Sequence, residues 1–238
     1  MSTRTILIGL AATALLAGCA PWRDGREADG GEPGHREHVA VAARGDRDAA
    51  ALAVVGGATT VTVRAVDLGA DLFRISTPPD SRLAPEVVES GGRFELHLAE
   101  TGRTGPAAVE VLLDQRVRWD LRLSGGSTET LVDLGAGRLS ALDFAAGSSR
   151  IEAVLPEPDG AVTVRMGGGA NTFLVRVPQA VPVRVSAGGG AATVTVDGVR
   201  RSGIAGGTVF TPPGWADAAD RYDVDATAGV ATLTVDRR

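Results

Sequence analysis

From Gly126 to Val196 the chain reads GSTETLVDLGAGRLSALDFAAGSSRIEAVLPEPDGAVTVRMGGGANTFLVRVPQAVPVRVSAGGGAATVTV. Within it Gly126, Gly147, Gly169 and Gly190 recur at spacings of 21, 22 and 21 residues. Four residues after each stand Thr130, Ile151, Phe173 and Val194, and six after stand Val132, Ala153, Val175 and Val196. Alternation with β-branched residues marks strands buried on one face. Gly57, Gly92 and Gly229 begin the same pattern with Val61 and Val63, Leu96 and Leu98, and Leu233 and Val235. A fixed period near 21 with glycine at each corner is what stacked β-coils require, glycine being the residue that accepts positive φ. At ~4.8 Å per rung, about eight coils would make a rod roughly 40 Å long.

The same register tests itself on the outward positions. Four residues before the corners the column reads Arg122, Asp143, Arg165, and three after them it includes Glu129 and then Arg150. Alternating signs in a stacked column avoid like-charge neighbours. No segment past the N-terminus sustains a helical period; the short candidates, near Pro85 to Glu89 and Ala216 to Arg221, are one turn long. The expectation is an all-β, single-chain β-solenoid, parallel β-helix-like, over 51–238. A β-sandwich explains the alternation equally well but not the constant spacing.

Met1 to Cys19 has a different character. Arg4 precedes a twelve-residue apolar run from Ile6 to Ala17, long enough for a signal-peptide core and too short for a bilayer span of ~20 residues. It ends Leu16-Ala17-Gly18-Cys19, and Cys19 is the chain's single cysteine. In this the chain resembles bacterial lipoproteins. The resemblance implies cleavage after residue 18 and a palmitate-type lipid on Cys19, with each buried CH₂ contributing ~0.8 kcal/mol to membrane binding. One cysteine also excludes an internal disulfide framework and a Cys-clustered zinc site.

Residues 19–50 are rich in Arg, Asp, Glu, Gly and Pro, too polar to offset the entropy of ordering, and are expected to be a flexible tether. His35 and His38 in it lack a third ligand, and Arg44-Gly45-Asp46 is a tripeptide that such a composition produces by chance. Later, Thr211 to Tyr222 interrupts the repeat, so Trp215 and Tyr222 are expected to pack as a cap or flap, and Trp119 to lie in the core in phase with Val117 and Leu121.

Composition narrows the function without naming it. Of 238 residues 32 are glycine, about 13% against a usual ~7%. All 24 basic residues are arginine, 29 are acidic, and the net charge of −5 argues against nucleic acid held by general electrostatics. No nucleophile elbow, phosphate loop or H-E-x-x-H is present. Gly167-Gly168-Gly169 is a corner with no helix after it. His97 falls on the outward phase with no nucleophile beside it, and Asp217, Asp220, Asp223 and Asp225 lack calcium-loop spacing. No catalytic, cofactor or metal residue is assigned.

Gly-rich β-coils behind an export signal resemble bacterial adhesin-type domains of unassigned function, and are similar to the extracytoplasmic β-solenoid of membrane regulators of the cell-wall stress response. The resemblance covers 51–238 and brings no catalytic residues. It implies a lipid-anchored binding or structural module on the extracytoplasmic face of the cell membrane. Its partners would be the membrane, through Cys19, and an envelope protein or polysaccharide. The alternatives are an accessory of envelope-stress signalling and a polysaccharide lyase or hydrolase built on a β-helix.

Overall fold

The computed structural model describes residues 38–238. Nineteen strands follow one another with no helix among the described residues. They are β1 (Val39–Ala43), β2 (Ala49–Val54), β3 (Ala58–Val66), β4 (Asp71–Ser76), β5 (Leu83–Ser90), β6 (Arg93–Glu100) and β7 (Ala108–Asp114). Next come β8 (Arg118–Leu123), β9 (Ser127–Asp133), β10 (Arg138–Phe144), β11 (Ser148–Val154), β12 (Ala161–Met166) and β13 (Ala170–Val177). The chain finishes with β14 (Val183–Ala187), β15 (Ala191–Val196), β16 (Val199–Ile204), β17 (Thr208–Phe210), β18 (Arg221–Ala226) and β19 (Val230–Arg237).

The strands form two sheets. Sheet A runs β1-β4-β7-β3-β9-β11-β13-β19-β15-β16, and sheet B runs β17-β14-β18-β12-β10-β8-β2-β6-β5. Each coil is one strand of B followed by one of A, and coil-to-coil pairings are parallel. The β-solenoid is therefore what the repeat indicated. Ten strands at ~4.8 Å make sheet A roughly 43 Å long.

The glycine register gives the core directly. Val61, Thr130, Ile151, Phe173, Leu233 and Val194 are stacked partners in sheet A. Thr130 is the one polar member of that column, and its hydroxyl is paired with Ser127 Oγ at 2.6 Å. Facing them, Leu52, Leu121, Leu142, Val164, Val224 and Val185 stack in sheet B. Phe144 of B meets Phe173 of A edge-on, at 5.7 Å and 73°. Trp119 is fully buried and donates its indole N–H to Asp114 O at 3.0 Å.

Four expectations are corrected. First, the coils do not stack in chain order. The order is β6–β7, β2–β3, β8–β9, β10–β11, β12–β13, β18–β19, β14–β15, so there are seven, and the first and last coils of the chain are tucked inside their neighbours.

Second, the corner glycines at 57, 126, 147, 169 and 229 do not have positive φ; among the repeat corners only Gly190 and Gly92 do, each at +78°. Close approach is the requirement at Gly57 and Gly147, where a Cβ would lie 3.0 and 3.3 Å from the carbonyls of Gly126 and Gly169 on the adjoining coil. Four of the residues before the corners, Gly56, Gly125, Gly168 and Gly189, are tighter still: a Cβ at Gly125 would enter the Gly56 carbonyl, and one at Gly168 the Ala146 backbone, whereas Ala146 and Ala228 carry a Cβ at the matching positions. Gly92 sits in the turn of the antiparallel β5–β6 hairpin that feeds sheet B.

Third, the folded part begins before residue 51. β1 pairs antiparallel with β4 and β2 starts at Ala49, since the Val39-Ala-Val41-Ala alternation supplies a strand among polar neighbours. The rest of the expected tether, residues 19–37 with His35, lies outside the described residues, as do the signal segment 1–18, Leu16, Ala17, Gly18 and Cys19. Fourth, Pro85 to Glu89 belongs to the edge strand β5 and is no helical turn.

Candidate binding faces

Both sheets bury one side, so whatever the solenoid binds meets an outer face, an end or a corner. The outer face of sheet B carries the expected charge column, extended by one member. Asp143 lies between Arg122 and Arg165, and Arg165 beside Asp225. Arg122 donates to Asp143 Oδ2 at 2.6 Å. One column over, Arg184 forms a two-point pair with Asp223, its Nε donating to Oδ1 at 2.9 Å; that bond raises the guanidinium pKa above its already high value. Arg122 with Asp143 and Arg184 with Asp223 are thus paired within the face.

Trp215 is laid over this face by the loop before β18. Its indole N–H donates to Tyr222 O at 2.8 Å, and the ring sits between the Arg184 and Arg221 guanidiniums, 4.0 and 5.0 Å from its centroid. Tyr222 is wholly buried and its hydroxyl donates to Pro156 O at 3.0 Å. Burial, with the charge of Glu157 adding to it, pushes that phenol well above the ordinary tyrosine value. The pair forms a packed flap.

The outer face of sheet A is built differently. Leu112 and Val154 fall in one outward column, Leu131 and Leu174 in the next. All four are half-buried on a face that no third layer among the described residues covers. Around them Arg150 donates to Glu152 at 2.8 Å and reaches Glu129 at 3.7 Å, Arg176 pairs with the other Glu152 oxygen, and Arg64 lies 3.5 Å from Glu110. Burial pushes the Glu152 carboxyl up, but the hydrogen bonds from Arg176 and Arg150 outweigh it and hold the group below the ordinary glutamate range. A groove of about 400 Å³ runs between Leu131, Val154, Arg64, Asp133, Glu152 and Arg176.

The remaining sequence candidates do not converge. His38 Nδ1 is 2.8 Å from Thr77 Oγ1, and His97 Nε2 is 3.6 Å from Glu95. Arg44-Gly45-Asp46 forms the turn between β1 and β2, with Gly45 at φ +56°. Asp220 accepts the Gly160 N–H at 2.7 Å, while Asp223 and Asp225 stand on β18 in separate columns. Among the described residues no three His, Cys, Asp or Glu side chains are grouped as metal donors.

The sheet A groove was missed because period-two reading treats every second residue as solvated. Its signal is in the chain all the same. Leu112-Leu113, Leu131-Val132, Ala153-Val154 and Leu174-Val175 are apolar on both phases, Leu112 sharing a column with Val154 and Leu131 with Leu174.

No family model and no curated protein sequence matches the chain. Solved structures do. A crystal structure named "putative cell adhesion protein", from Clostridium sporogenes, matches with a TM-score of 0.63 at 15% identity, covering 84% of this chain and 98% of that one. One named "putative adhesin", from Bacteroides fragilis, covers 85% of this chain and 98% of its own at 6% identity, with a TM-score of 0.28 that carries no argument. The chain is thus an all-β protein of two mostly parallel sheets, sharing its fold with the Clostridium protein.

Proposed function

We propose that the protein is a lipid-anchored, extracytoplasmic binding module of the adhesin-like kind, engaging an envelope protein or polysaccharide through the outer face of sheet A. The observation that carries this is the groove over Leu131 and Val154, where half-buried apolar side chains lie among arginines and carboxylates already fixed by one another. Preformed ion pairs lower the ordering entropy a ligand must offset, and apolar surface between them supplies the driving force. The Leu16-Ala17-Gly18-Cys19 pattern supports the anchor, and the fold shared with a protein named for cell adhesion supports the module's role.

The test immobilises the full chain against fractionated envelope, with protein and polysaccharide pools assayed separately at two salt concentrations. Saturable retention should weaken at least about tenfold, 1.4 kcal/mol or more, in Leu131→Asp with Leu174→Asp. It should survive Asp143→Ala with Arg165→Ala on sheet B. Equal retention by both variants would overturn the assignment of the face. The anchor is tested separately: Cys19→Ser should move the protein from the membrane fraction to the soluble one.

A further inference from the structure

The outer face of sheet A is nearly symmetrical about β11, the middle one of the seven strands β7-β3-β9-β11-β13-β19-β15. One outward column reads Arg64, Asp133, Val154, Arg176, Asp236 on β3, β9, β11, β13 and β19. The next reads Thr62, Leu131, Glu152, Leu174, Thr234 on the same strands. In the first column, residues equally far from Val154 have opposite charge: Asp133 and Arg176, then Arg64 and Asp236. In the second, residues equally far from Glu152 are alike: Leu131 and Leu174, then Thr62 and Thr234.

The acids of the first column are unmatched within the molecule. Among the described residues neither Asp133 nor Asp236 is in ion-pair contact with an arginine, and the Asp133 carboxylate accepts only the Gly135 N–H, at 3.1 Å. The extent of the face also suits a stable contact. Seven strands at ~4.8 Å, about seven residues long at ~3.4 Å each, cover roughly 34 by 24 Å, or ~800 Å². That is the area one side of a standard protein–protein interface buries.

We infer that the occupant of this face is a second copy of the chain, packed sheet on sheet about a two-fold axis that runs along β11. The inference rests on the binding face assigned above and names the envelope protein that the face engages. Such an axis keeps each column opposite itself and reverses the order of the strands. Asp133 then faces Arg176 of the second copy and Arg64 faces its Asp236, which makes four opposite-charge contacts in the pair. Leu131 meets Leu174 over the groove and Val154 meets Val154. Glu152 comes opposite Glu152, but each is already held by Arg150 and Arg176. Other axes fit worse. Moved to β9 the axis sets Asp133 on Asp133, and moved to β13 it sets Arg176 on Arg176. Turned along the solenoid, it exchanges the flanking columns and brings Asp133 to Glu129; like charges so opposed disfavour association. A two-fold contact is self-complementary and closes at a dimer. The two solenoids run antiparallel in it, so the β1 strands, from which each chain continues toward Cys19, stand at opposite ends of the pair. That arrangement suits contact between two facing membranes.

Sedimentation equilibrium of the full chain in density-matched non-ionic detergent, over a concentration series, tests this. The weight-average mass should rise from monomer and stop at dimer. Asp133→Arg with Asp236→Arg sets arginine against arginine across the axis, and Arg64→Asp with Arg176→Asp sets acid against acid. Each double variant alone should weaken dimerisation by about tenfold or more. An equimolar mixture of the two should recover it, because all four contacts then again join opposite charges, and that recovery shows both variants to be folded. A chain monomeric at every concentration, growth beyond the dimer, or a mixture no more associated than its components would each overturn the proposal. Should the chain stay monomeric while Leu131→Asp with Leu174→Asp still loses envelope retention, the binding face stands and its occupant is not a second copy.

Discussion

The coils at the centre of the solenoid and those at its ends solve the same packing problem in different ways. From β8 to β13 the chain climbs one rung per circuit, with its neighbours in space also its neighbours in sequence. At each end it does not. Coil β2–β3 sits inside coil β6–β7, and coil β18–β19 sits inside β14–β15. The last strand of the chain, β19, is thereby paired on both sides, with β13 and β15. The exposed edges fall to β1, β5, β16 and β17, which close each end as antiparallel strands. A solenoid finished in chain order would leave its last coil as a free parallel edge, open to any passing strand. Here the edges are β1, β5, β16 and β17, each paired antiparallel on its inner side.

If centre and ends divide the work in this way, substitutions should separate them. The largest effect belongs to Phe173→Ala, which removes the ring that joins the sheets at Phe144. It should cost about 3–5 kcal/mol in urea unfolding, with signals from both sheets lost in one transition. Gly125→Ala drives a methyl into the carbonyl of Gly56 on the next coil and should cost about 1–3 kcal/mol by overpacking. In the sheet B ladder, Asp143→Ala leaves Arg122 and Arg165 facing across an alanine. Because the arginines are exposed, the loss should stay within about 1 kcal/mol and shrink further in high salt. Val88→Thr or Val209→Thr on the edge strands should change stability by no more than about 0.5 kcal/mol. A cap substitution as costly as Phe173→Ala would collapse the distinction.

The sequence was most legible where sequence order and spatial order coincide. The columns through Ile151 and Phe173, and through Arg122, Asp143 and Arg165, follow from a 21-residue period because each rung is the next rung of the chain. Past Gly190 the spacing breaks, Gly229 keeping only the four- and six-residue offsets to Leu233 and Val235, and β19 inserts between β13 and β15. A periodic pattern states that rungs are equivalent and says nothing of the order in which equivalent rungs stack. The purpose of the corner glycines was misread for a related reason. Positive φ is a local property, whereas their close approach is to a backbone one coil away. The outward leucines 112, 131 and 174 escaped because half-burial on the outer face, in a groove at Leu131, depends on neighbouring strands and not on the alternation within one.

The order of the terminal coils is tested most directly by covalent capture. With Cys19 replaced by Ser, two double variants place cysteines on the outward face of sheet A: Thr172→Cys with Thr232→Cys, and Thr172→Cys with Thr193→Cys. In the structure Thr172 and Thr232 are register partners, while Thr193 is one strand further away, beyond Thr232. Adjacent strands lie ~4.8 Å apart, within the span a disulfide bridges, and two strands apart the distance of ~10 Å is beyond it. Under mild oxidation the 172–232 pair should crosslink and the 172–193 pair should not. The reverse result would show coils stacked in chain order and would contradict the account.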